Sequence, residues 1–258
     1  MINFFNFFVV LIGLIIGSFL NCLIWRLYKD ESLWGRSYCP KCRRQISWYD
    51  NIPVLSFVFL AGRCRHCRKT ISWQYPLVEI VTALLFLLVW LKNINSPDLA
   101  WLLVRDWLMV ITLIIVFIYD LRWQLVPMMI VWPMTAIVFG LNLFLGYSIF
   151  DLGLFGLIGL SFFWIQYFIT KKKGLGEGDI WLGLFLGLAY PSGASLFLVI
   201  FLAYTIGALI SLLLLATHKK GWKSKVALGP FLALGAIINL IWGQAIINWY
   251  LNFSWLLK

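Results

Sequence analysis

Eight stretches of this chain are apolar for so long that they cannot all be folded away inside a soluble core of this size. They lie at 4–27, 76–92, 99–119, 125–146, 150–170, 176–191, 193–217 and 226–257. A helix rises about 1.5 Å per residue, so about 20 mostly apolar residues cross a hydrocarbon core of about 30 Å. Lipid offers the backbone no hydrogen-bond partner, and an α-helix satisfies its own amides. The fold class expected is therefore an all-α membrane protein, a polytopic bundle of about eight transmembrane helices. Composition agrees: 62% of residues are hydrophobic and 12% charged, where a soluble chain carries about twice that share of charge. No basic stretch precedes the first apolar run, so Phe4–Leu27 reads as a retained span and not as a cleaved signal.

A net charge of +11 fits either nucleic acid or anionic lipid as a partner. The apolar runs decide for lipid, and no nucleic-acid partner is expected. With eight spans, the loops at 26–75, 120–124, 171–178 and 218–225 share one side and hold 18 of the 21 Lys and Arg. Basic loops stay in the cytoplasm, so these loops are expected there, with both termini outside. The 15 Trp residues read as interfacial anchors.

The 26–75 loop is the one sizeable polar segment. It carries Cys39-Pro40-Lys41-Cys42 and Cys64-Arg65-His66-Cys67 in an internal repeat of period 25, in which Ile46-Ser47-Trp48 recurs as Ile71-Ser72-Trp73. Two such knuckles suit a tetrahedral four-thiolate zinc site, a small zinc-ribbon-like loop stapled by its metal. The competing readings are a redox dithiol and disulfides; a reducing cytoplasm disfavours the second. A closed four-thiolate site leaves no position for substrate, so the metal expected at Cys39, Cys42, Cys64 and Cys67 is structural. His66 reads as solvated, and Cys22 as a small buried apolar residue in the first span. The expected organisation is a first transmembrane helix over 1–27, a four-cysteine domain over 28–75, and a larger transmembrane domain over 76–258.

Ten acids are available for chemistry. Asp30, Glu31 and Asp50 read as solvated loop residues. Asp98, Asp106 and Asp151 fall at the outer ends of spans, where Arg105 can reach outward too. Glu79 lies one turn into the second span. Asp120 and Asp179 stand apart. Asp120 ends the apolar run 111–119, and Asp179 closes Gly176-Glu177-Gly178-Asp179 after three lysines. Both fall on the same side of the membrane by the span count. The stretch from Gly174 to Ala189 is too short to span unless its Asp179 end is drawn into the boundary. Gly176 and Gly178 leave room for another backbone, or for an extended peptide. Two carboxylates brought together in a partly desolvated place do not both ionise easily, and such a pair can activate water against a peptide bond. Two other readings stand beside that one. An Asp at a helix start is often only a cap, and membrane acids also serve proton or ion pathways.

Taken together these residues resemble the bacterial prepilin peptidases, also called type IV leader peptidases, which are membrane aspartyl proteases of the Gly-x-Gly-Asp type. Gly17-Ser18-Phe19-Leu20-Asn21 and Ile24-Trp25-Arg26-Leu27 resemble that family's amino-terminal signature. The order Cys39–Cys42, Asp50-Asn51-Ile52-Pro53, Gly62-Arg63-Cys64 and Tyr75-Pro76-Leu77-Val78-Glu79 resembles its cytoplasmic domain. Asp120-Leu121 with Pro127, Gly176–Asp179, and Gly229-Pro230-Phe231 resemble its later motifs. The resemblance implies an aspartic endopeptidase that removes leaders from prepilin or pseudopilin partners at the cytoplasmic face of the inner membrane, just ahead of the substrate's apolar helix. It implies Asp120 and Asp179 as the catalytic pair. It also implies methylation of the new amino terminus with S-adenosylmethionine, and the amino-terminal block and cysteine loop are the place to look for it. Such enzymes serve type IV pili or protein secretion. Two positions depart from the family pattern: Trp181 stands where a Lys is usual, and Met128 where an acid often follows the proline. A presenilin-like protease would need a Pro-Ala-Leu element, which the sequence lacks. A zinc-containing transporter or assembly scaffold would place polar residues face to face at mid-membrane.

Overall fold

The computed structural model describes residues 2–171, 174–217 and 227–255. Among these residues there are nine α-helices and one short 3-10 turn. The chain divides into two compact units, Met1–Asn95 and Ser96–Lys258. The first holds α1 (Ile2–Lys29), α2 (Leu55–Phe59) and α3 (Gln74–Asn93). The second holds α4 (Leu99–Trp123), α5 (Met128–Phe144), α6 (Ile149–Ile169), α7 (Glu177–Ala189), α8 (Gly193–Ala216) and α9 (Gly229–Trp255). Every apolar stretch read as a span is a helix. Six of them, α1, α3, α4, α6, α8 and α9, are long and apolar enough to cross a membrane. The other two are shorter: α5 has 17 residues and α7 has 13. Residues 172–173 and 218–226, which hold basic loop positions and the start of the last expected span, and the end of that span at 256–257 lie outside the described residues.

In the first unit α1 and α3 form a hairpin packed backbone to backbone. A Cβ on Gly13 would lie 2.5 Å from the Ala83 Cα, and one on Gly17 2.7 Å from the Glu79 Cα. Small residues four apart on one face permit that approach. The intervening loop is tied back by buried polar groups. The Arg26 guanidinium donates to the carbonyls of Leu33, Gly35 and Arg36 at 2.7, 3.0 and 3.1 Å. The Asn21 amide donates to the Tyr75 carbonyl at 3.1 Å and accepts from Gln74 at 3.3 Å. Glu79 accepts from the Val54 amide at 2.7 Å. Val54 sits at φ 60°, ψ −50°, and the Leu55 amide reaches the Pro53 carbonyl at 2.6 Å. That is a γ-turn in a strained region for a β-branched residue, and the buried Glu79 carboxylate holds it. Asp50 was expected to be solvated. Instead it takes a forked pair from Arg65, whose Nη2 lies 2.6 Å from Oδ1 and Nε 2.8 Å from Oδ2. The Arg65 hydrogen bonds hold the Asp50 carboxyl below the usual carboxylate range.

In the second unit α4 packs on α5 and α9, α6 on α7, α7 on α5, and α8 on α9. The α6–α7 interface is glycine on glycine. A Cβ on Gly159 would meet the Gly183 carbonyl at 2.3 Å, and one on Gly187 the Phe155 carbonyl at 2.1 Å. One expectation needs correcting here. Arg105 and Asp106 do not reach outward from a span end; they are 7% and 0% exposed. They form an ion pair with Nη2 to Oδ1 at 2.7 Å. Asn142 and Tyr147 oxygens accept from the same guanidinium at 3.2 and 3.5 Å, so the charge is met inside the protein.

Candidate functional site

Asp120 lies in the last turn of α4, which Gln124 closes in the left-handed region at φ 54°. An acid there would normally face water, yet Asp120 is only 5% exposed. The cover is the start of α9. The Gly229 N–H stands close enough to the Asp120 carboxylate to favour its charge, and a Cβ on Gly229 would lie 2.4 Å from its Oδ2. A helix N-terminus presents free amides and a positive dipole end, both suited to a carboxylate. Only a residue without a side chain lets α9 begin that close.

Asp179 is the third residue of α7. Its Oδ2 accepts from the Gly176 amide at 3.1 Å, so the capping arrangement weighed above is physically present. A cap alone does not account for the setting, because Asp179 is 7% exposed and stands within electrostatic reach of Asp120. Glu177, the other acid of this turn, is exposed and accepts from Tyr167 at 2.7 Å. The structure thus sets Asp120 of α4 and Asp179 of α7 in the second unit, both buried and within electrostatic reach of one another, with α9 closing over the first.

The two glycines differ. The space beside Gly178 is filled by the chain itself, since a Cβ there would lie 2.6 Å from Val126 Cβ and 3.2 Å from Met128 Cε. Gly176 is exposed, and a Cβ there would meet nothing nearer than the Asp179 carboxylate at 3.6 Å. Trp181, one of the departures, pairs with Trp132 at 4.4 Å between ring centroids. The two rings line an apolar groove of about 320 Å³ together with Val131, Thr135, Phe139 and Leu184. Tyr204 of α8, within electrostatic reach of Asp179 and donating to Gln166 at 2.5 Å, was not singled out from the sequence. It sits inside an otherwise apolar run and has no motif around it.

The four cysteines of the first unit converge. The Sγ atoms of Cys39, Cys42, Cys64 and Cys67 all lie within 4.8 Å of one another, and Cys39 and Cys67 are 4.0 Å apart. Tetrahedral zinc with Zn–S near 2.3 Å needs sulfurs about 3.8 Å apart, so the donor set fits a metal ion. The sequence repeat is a structural repeat. The Cys39 amide bonds the Arg44 carbonyl and the Cys64 amide the Lys69 carbonyl, both at 2.9 Å. Arg43 and Arg68 take matching positive φ values of 56° and 54°. Within the cluster, the amides of Cys67 and His66 pull the Cys64 thiol down, while burial pushes Cys39 up.

Comparison with known proteins bears on both units. The model of the Bacterial Peptidase A24 N-terminal domain matches residues 11–93, and that of the Type IV leader peptidase family residues 107–212. The chain is 33% identical to a "Prepilin leader peptidase/N-methyltransferase" of Pseudomonas aeruginosa, covering 95% of this chain and 93% of that one. It is 34% identical, with the same coverage, to the protein of that name from Aeromonas hydrophila. No solved structure matches the chain.

Proposed function

We propose that this chain, which belongs to the type IV leader peptidase family, cleaves the leaders of prepilins or pseudopilins with Asp120 and Asp179 as its catalytic pair. The observation that carries the reading is that two carboxylates from separate helices of one unit are both buried and within electrostatic reach of one another. The basic loops support a cytoplasmic position for the cysteine loop and for both aspartates. The substrate's bond lies extended beside exposed Gly176. One carboxylate takes a proton from water as it attacks the carbonyl, and the other gives a proton to the departing amine. The pair titrates as a unit, so the two roles belong to the pair. The Gly229 and Gly176 amides aim one carboxylate each.

The metal we propose for the four cysteines is zinc, with a structural role, because four thiolates close the coordination sphere. The relatives' names support a second step, in which S-adenosylmethionine supplies a methyl group to the new terminal amine. We place that step in the first unit, in the amino-terminal block and the cysteine loop.

Incubating a purified prepilin with the protein and weighing the product tests the reading. We expect the leader lost ahead of the apolar helix, and one added methyl when the donor is present. An intact prepilin from every pilin-like substrate offered would overturn it. A second expected result follows from the α9 contact. Gly229→Ala should cut cleavage by about 100-fold, because the new methyl drives the Asp120 carboxylate aside. Wild-type rates in that variant would show that Asp120 need not sit under α9.

A further inference from the structure

Helix α7 has 13 residues, about 20 Å at 1.5 Å per residue, against a core of about 30 Å. Its two ends cannot both be fixed by the two membrane surfaces, so something inside the protein must set its depth. Its long contact with α6 supplies part of that hold: Gly159 and Gly187 meet backbone there, while the Phe163 side chain packs on Gly183 and Leu188 on Gly156. The carboxyl-terminal end of α7 adds a polar tie. The Asn142 Nδ2 donates to the Leu188 carbonyl at 2.8 Å, in the last turn of α7. Asn142 is 0% exposed, and its amide is oriented by Arg105, whose Nη1 donates to Asn142 Oδ1 at 3.2 Å. Arg105 is in turn held by Asp106, with Nε to Oδ1 at 2.8 Å. One residue beyond the helix, Tyr190 donates to the Ala236 carbonyl of α9 at 2.7 Å.

Asp106 and Asp120 are on the same helix, about 21 Å apart along its axis. Asp179 and Leu188 are on α7, about 13 Å apart. Helices α4 and α7 are thus tied through Asn142 at one end and carry the two carboxylates at the other. We propose that Arg105, Asp106 and Asn142 are positioning residues: they fix the depth of α7 and so hold Asp179 level with Asp120. A slip of one helical turn, about 5.4 Å, would part the pair. This inference rests on the peptidase reading for its consequence, but not for its geometry.

The test uses the full-length protein, with Asn142→Leu, which has no donor, and Asn142→Ser, whose hydroxyl ends one bond short of the Nδ2 position that reaches Leu188. In prepilin cleavage we expect kcat to fall by about 100-fold while KM stays within about twofold, since the loss falls on the reacting geometry and not on substrate binding. Arg105→Lys, which keeps a donor at that place, should recover more activity than Arg105→Ala. An activity-independent readout accompanies these. In an Asp120→Cys/Asp179→Cys protein, a short bis-maleimide should link positions 120 and 179, identified by peptide mass. Adding Asn142→Ser should lower that yield at least several-fold. Unchanged kcat and unchanged linkage in folded Asn142 variants would overturn the inference. If wild-type protein cuts no prepilin while linkage still falls with Asn142→Ser, the peptidase reading fails and the positioning inference stands.

Discussion

Asp120→Asn and Asp179→Asn each leave a folded protein in which leader cleavage falls by about 10²–10⁴-fold. The substitution removes the proton-transfer chemistry and little else. Asparagine keeps an acceptor oxygen for the Gly229 amide at position 120 and for the Gly176 amide at position 179. Both sites are already largely out of water, so the uncharged amide fits them without a new desolvation cost. Thermal unfolding midpoints should therefore stay near that of the wild type. The double variant should be scarcely worse than either single one, because groups that act as a unit are lost together. Additive losses would mean that the two carboxylates work separately.

Stripping the metal should have the next largest effect, and on structure rather than on the chemical step. The loop between α1 and α3 holds only a five-residue helix, a 3-10 turn and two isolated β-bridges. Its order therefore depends on few contacts, among them the four thiolates, the carbonyls on Arg26, the Glu79 bond to Val54 and the forked Arg65–Asp50 pair. In small domains of this kind apparent zinc binding supplies about 10–16 kcal/mol, far more than those few hydrogen bonds at about 1 kcal/mol each. Cys39→Ser or Cys67→Ser, or a strong chelator, should release one metal ion per chain and open 30–73 to proteases. The helix signal should persist. A chain that contains no metal by elemental analysis, or a loop that stays protease-resistant after chelation, would contradict the assignment.

Much of this was legible in the sequence because lipid imposes simple rules. Hydropathy located eight apolar helices, six of them long and apolar enough to cross a membrane, and the short sixth stretch already led to the expectation that Asp179 is drawn inward. The cysteine repeat was readable because a knuckle is local, and its hydrogen bonds recur with the same period of 25. Other features depend on which helices meet, and hydropathy does not say that. It could not show that α1 pairs with α3 through Gly13 and Gly17. Nor could it show that α9 begins against Asp120. Arg105 and Asp106 looked like span-end charges because Asn142, which accepts from Arg105, comes 37 residues after it. Gly178 looked like room for a substrate, whereas the space is filled by Val126. Tyr204 gave no signal, since a lone tyrosine in an apolar run reads as packing.

The most direct measurement of the central claim is the mass of a prepilin's amino terminus after incubation with purified wild-type, Asp120→Asn or Asp179→Asn protein, each checked for an unchanged unfolding midpoint. The account expects the leader to be removed by wild type alone. Cleavage at wild-type rates by either folded variant would mean that the aspartates are structural and that the chemistry lies elsewhere.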